Sequence, residues 1–98
     1  MKKYIQTAHA YDNTSIEEFK NDDMFTSIIQ FDGGYNVDAG SYDGQMHVCE
    51  PFITLEIART LYNHIIEYYS TTPPIKRELK RFIKTLRSAD RQTSALTY

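Results

Sequence analysis

At Pro51 the hydrophobic pattern of this chain changes period, and that change limits what it can fold into. Before the proline, apolar residues recur at every second position; after it they recur about every 3.6 residues. Strands gathered ahead of helices predict an α+β domain, because an alternating sheet needs a helical layer to cover its apolar side. With 98 residues there is room for one such domain and one core.

The first part reads as an antiparallel meander. Phe25, Ile29 and Phe31 fall on one side of an extended chain, and Asp32-Gly33-Gly34 signals a turn. Tyr35, Val37 and Ala39 then alternate with Asn36, Asp38 and Gly40. A three-residue loop would set Phe31 opposite Tyr35 and Ile29 opposite Val37, whereas a two-residue loop breaks that match, so the longer loop is expected. After a second turn at Tyr42-Asp43-Gly44, Met46 and Val48 alternate with His47 and Cys49. Three strands result, and residues 3–8 are a candidate fourth. Ahead of them, Thr14 with Glu17 and Ser15 with Glu18 form overlapping capping boxes, which predict a short N-terminal helix from 14 to about 21.

Two helices follow. Thr54 is a suitable N-cap, Glu56 sits in the first turn, and Leu55, Ala58, Leu61, Tyr62, Ile65 and Tyr69 form one stripe running to about Ser70. Pro73-Pro74 stops this helix. In the next, Ile75, Leu79, Phe82, Ile83 and Leu86 share an arc opposed by Arg77, Lys80, Arg81, Lys84 and Arg87. The short linker makes the helices neighbours that pack together on one face of the meander. Residues 1–92 are read as the domain and 93–98 as a flexible tail. Ile57, Ile66 and Tyr68 flank the first stripe and make it broad enough to serve a homodimer.

The formal charge of −2 hides a division. Residues 1–71 carry four bases against eleven acids, and residues 72–98 carry seven bases against two. A single cysteine, Cys49, excludes an intrachain disulfide framework and suits a reducing cytoplasm. No run approaches the ~20 apolar residues of a membrane span, and the segment after Met1-Lys2-Lys3 lacks the apolar stretch of a signal peptide. No membrane association is expected.

Reactive constellations are sparse. His47 and Cys49 point to one side of a strand, but residues two apart stand almost ~7 Å from each other, and proton transfer needs about 2.6–3.2 Å. His9, His47 and His64 have no zinc-ligand spacing, and the aspartates from Asp32 to Asp43 do not follow a calcium-loop pattern. Gly33-Gly34 joins strands and opens no phosphate-binding helix. Neither catalysis, nor a metal, nor a cofactor is expected.

What stands out is surface. Eight tyrosines and no tryptophan suggest rings with polar tips at the margin of a contact patch. Tyr35, Asp38, Tyr42, Asp43 and Glu50 are the candidate acidic, Tyr-bearing side of the meander, suited to a basic surface on another protein. The expectation is a small binding module, an inhibitor or adaptor of the sort that phages and mobile elements encode. The alternative is a nucleic-acid-binding regulatory protein that uses Arg77, Lys80, Arg81, Lys84 and Arg87. Against it stand a pI near 5.8 and the lack of interleaved residues that read or stack on bases.

Overall fold

The computed structural model describes residues 14–72 and 74–96. Four strands, β1 (Thr14–Lys20), β2 (Met24–Phe31), β3 (Gly34–Ser41) and β4 (His47–Phe52), pair antiparallel in the order β1-β2-β3-β4. Two helices follow, α1 (Leu55–Tyr69) and α2 (Lys76–Leu96), completing an α+β fold. Register places Met24, Ile28, Val37, Ala39, Val48 and Phe52 on one face of the sheet. All six are buried, and α1 lays Ala58, Leu61, Tyr62 and Ile65 over them. From α2, Leu79, Ile83 and Leu86 join the same cluster, with α2 packed on α1. Removing an aliphatic side chain of this kind from water contributes about 1.5–3 kcal/mol, so this one layer carries most of the stability.

A helix over 14–21 is expected from the capping boxes, yet Thr14–Lys20 form β1 and Asn21 opens the turn after it. A bulge between Ser15 and Glu17 shifts the pairing of β1 on β2. Ile16 and Phe19, three residues apart, consequently both pack against the core. That spacing resembles a helical stripe, but a segment of seven residues is too short to hold a helix without tertiary support, and β2 offers a row of backbone partners. The sheet thus gains its fourth strand at 14–20; the candidate strand at 3–8 lies outside the described residues.

The hairpin between β2 and β3 also departs from expectation. Phe31 pairs with Gly34 and Ile28 with Val37, leaving a two-residue loop of Asp32 and Gly33. Gly33 takes φ +100°, a conformation that disfavours any side chain. The side facing the helices is therefore Met24, Thr26 and Ile28, while Phe25 and Ile29 are buried on the other face. Strand β2 is apolar on both sides, so alternation alone could not say which side faces inward. Thr26, almost fully buried, donates its hydroxyl to the Asp38 carbonyl at 2.9 Å.

At the other end of the sequence, α2 continues through Leu96, where a tail from Thr93 is expected. Ser94 is buried, so the last turns still face the protein. Ile75 lies before α2 and is 61% exposed, outside the stripe assigned to it. Thr54 does precede α1 in extended geometry, but its side chain makes no capping bond. Asp90 of α2 instead holds the backbone just ahead of α1. Its carboxylate accepts the N–H groups of Ile53 (2.8 Å) and Thr54 (2.9 Å), joining the end of α2 to the corner between β4 and α1.

Candidate functional site

Two tight turns and the α1–α2 connection meet at one end of the sheet. Asn21 organises the first turn: its Oδ1 accepts the N–H groups of Asp23 and Met24 at 2.8 and 2.9 Å. Its Nδ2 donates to the Ser70 carbonyl at 2.8 Å, which ties the turn to the end of α1. In the second turn, the Ser41 hydroxyl donates to Asp43 Oδ1 at 2.7 Å, and the same oxygen accepts the Gln45 N–H at 3.0 Å. Gly44 supplies the positive φ of +80° that closes it. The Tyr42 N–H donates to the Asp23 carbonyl at 3.0 Å and locks the two turns together.

Between them opens a cleft of about 450 Å³. Asp22, Asp23 and Asp43 supply three carboxylates to its wall, Tyr42 and Tyr69 two rings, and Pro74 the start of the path into α2. The Gln45 N–H, then the Ser41 hydroxyl, hold the Asp43 carboxyl below the usual carboxylate range, so it stays charged in mildly acidic solution. Burial, then the charge of Glu78 and the neighbouring Tyr68, push the Tyr69 phenol upward, which keeps it a hydrogen-bond donor at neutral pH. Four large apolar residues are left exposed among those described: Tyr42 lines the cleft, and Tyr68 and Ile75 adjoin its lining residues Tyr69 and Pro74 in sequence. The fourth, Ile53, follows β4 at the opposite end.

Of the five residues assigned to an acidic, Tyr-bearing side, the structure brings together Tyr42 and Asp43. Tyr35 is half-buried against the core. Asp38 is 3% exposed on the face away from the helices, cross-strand from Cys49, with its carboxylate taking a hydrogen bond from the Asn36 amide. Glu50 faces the helices, half-buried, with Arg87 Nη2 2.6 Å from its Oε1; that ion pair is what balances an oxygen otherwise withdrawn from water. Alternation from Met46 through Val48 already carries Glu50 to the helix side, so its separation from Asp38 is legible without coordinates. The gathering of Asp22 and Asp23 with Asp43 is less visible, although turns at Asn21 and Gly44 in a meander must emerge on the same end.

His47 and Cys49 share the face away from the helices, both exposed, and the Asn36 amide approaches Cys49 Sγ at 3.5 Å. Among the described residues no three His, Cys, Asp or Glu side chains converge as metal ligands. His64 stacks on Phe82 at 3.9 Å between the two helices and is half-buried. On the outside of α2, Arg77, Lys80, Arg81, Lys84 and Arg87 are all exposed, as their arc predicts. Arg87 alone of the five forms an ion pair among the described residues. No described helix is long and apolar enough to cross a membrane.

No protein-family model, curated protein or solved structure matches this chain, so its geometry has to carry the functional reading.

Proposed function

We propose that this protein is a non-catalytic binding module, an inhibitor or adaptor, that docks onto a basic surface of another protein through the turn end of its sheet. The observation that carries this reading is the coincidence there of three aspartates with the exposed Tyr42, while the exposed Tyr68 and Ile75 adjoin the lining residues Tyr69 and Pro74 in sequence. Carboxylates steer a cationic partner and fix its orientation; tyrosines and an isoleucine add contact area that needs no charge. The turns are held by side-chain hydrogen bonds, which lowers the ordering cost of binding. The cleft's wall contains neither histidine nor cysteine, and its rim groups suit recognition better than proton transfer. A lone free cysteine supports work in a reducing compartment such as the cytoplasm.

The test changes exposed residues that do not hold the fold: Asp22→Lys, Asp23→Lys and Tyr42→Ala together. Substituting Asp38 or Glu50 would confound it, since one is buried and the other balances Arg87. Affinity capture from the native cell, followed by mass spectrometry, should recover a basic partner with the unaltered protein and lose it with the triple variant. Equal recovery by both proteins, at equal melting temperature, would remove the reading.

A further inference from the structure

We infer that the outward face of α2 is a docking surface for the phosphate backbone of nucleic acid, recognised by charge and independent of base sequence. The helix has 21 residues, about 30 Å of length at ~1.5 Å per residue. Leu79, Ile83 and Leu86 turn inward to the core, so the opposed arc is fixed toward solvent by packing. Along it Arg77, Lys80, Arg81 and Lys84 follow the i, i+3, i+4, i+7 spacing of a single helical face, all exposed.

Three acids that could neutralise this arc are engaged elsewhere, and the exposed Glu78 on the same helix forms no ion pair with it among the described residues, leaving a surplus of cations. Glu50 takes Arg87, Glu17 takes Arg59, and both oxygens of Asp90 accept backbone N–H groups. Among the described residues, Arg77, Lys80, Arg81 and Lys84 form no ion pair. Four cations on a rigid rod with no internal partner are an electrostatic feature that the fold itself does not need. A polyanion can use them.

The occupant follows from what the face lacks. An interfacial membrane helix buries its apolar side among acyl chains, but the apolar side of α2 already lies against α1. A protein interface draws its strength from aromatic or aliphatic anchors, and from Arg77 to Arg87 the exposed positions hold only Arg, Lys, Glu and Thr. Phosphates ask for cations alone, and a helix is an element that a duplex groove admits. That stretch has no exposed Asn or Gln to pair with adenine and no exposed ring to stack on a base, and its Arg and Lys side chains are assigned to phosphates. This surface is distinct from the turn-end cleft, so the two proposals stand or fall separately.

The experiment is fluorescence anisotropy of the full chain with labelled duplex DNA of about 30 base pairs in two unrelated sequences, from about 25 to 200 mM salt. Both sequences should bind at the lowest salt, and log Kobs should fall against log salt with a slope of about −3 to −4, as expected for four phosphate contacts. Lys80→Glu, Arg81→Glu and Lys84→Glu together should weaken binding by at least ~100-fold without lowering the melting temperature. The Asp22→Lys, Asp23→Lys, Tyr42→Ala variant should bind DNA at least as well as the unaltered chain, which separates this result from failure of the cleft. Absence of binding by the folded chain at the lowest salt would overturn the inference. So would undiminished binding by the Lys80/Arg81/Lys84 variant, or a preference for phosphatidylserine vesicles or polyglutamate over DNA.

Discussion

His64 sits at the seam between α1 and α2, its ring stacked on Phe82 and within 4.6 and 5.6 Å of the Tyr68 and Tyr69 rings. Burial lowers its pKa below the ordinary 6.5, and the charge of Glu67 pulls weakly the other way. The folded protein therefore prefers the neutral imidazole more strongly than the unfolded chain does. By linkage, that part of the stability is present above about pH 6.5 and is lost as pH falls through the folded pKa. Tyr69 also faces the seam, but its raised pKa keeps it neutral throughout this window. Thermal unfolding should show the melting temperature of the unaltered protein dropping between about pH 7 and pH 5 by more than that of His64→Phe, whose ring keeps the stack but carries no proton. Parallel curves for the two proteins would mean that His64 titrates alike in both states. Sequence shows that histidine as a helical residue among polar neighbours. Its burial depends on a ring eighteen positions further on, which no local pattern announces.

Among the elements, the β2–β3 hairpin decides the most. Its loop length sets which side of β2 meets the helices, and two adjacent glycines control it for different reasons. At Gly33 the positive φ is the obstacle, since a Cβ there meets no atom within 4 Å. At Gly34 the obstacle is contact: a Cβ would run into the backbone carbonyl oxygen of Phe52 at the end of β4. Gly33→Ala should cost about 1–2 kcal/mol through backbone strain. Gly34→Ala should cost more, because β4 and the Ile53–Thr54 corner must move, and urea midpoints would rank the two variants. A milder effect at Gly34 would show that the corner yields easily. The reading of Asp32-Gly33-Gly34 as a turn is sound, but its length follows from which glycine another strand crowds. The edges carry protection too, with a bulge and the charges of Glu17, Glu18 and Lys20 on β1 and Pro51 within β4.

For the molecule as a whole, the basic helix is fastened to the acidic sheet by two long-range ties. One is the ion pair of Arg87 with Glu50; the other is Asp90 at the N–H groups of Ile53 and Thr54. Asp90→Ala would strand two donors near the start of α1 and should cost about 2–4 kcal/mol, read as a lower urea midpoint with unchanged slope. Arg59→Ala is the contrasting variant: its ion pair with Glu17 has both side chains more than a third exposed and should matter by less than about 1 kcal/mol. Equal effects for the two would argue that solvent reaches the Asp90 corner. The ties also explain why charge poles visible in sequence do not translate directly into a patch. Glu50 and Asp90 are consumed in holding the molecule together, while Arg77, Lys80, Arg81 and Lys84 are left facing outward.

Sequence alone determined the strands from Met24 onward, both helices, the inward side of β3 and the solvent-facing cations of α2, because each depends on a periodicity carried by neighbouring residues. Tertiary structure decided the rest. It made a strand of residues 14–20, set the hairpin register through Phe52, tied Asp90 to the corner ahead of α1, and gathered Asp22, Asp23 and Asp43. The physical reason is separation along the chain. The Asp90 and Asn21 bonds join residues 36 to 49 positions apart, and pairing of that kind exists only once the sheet and helices have met.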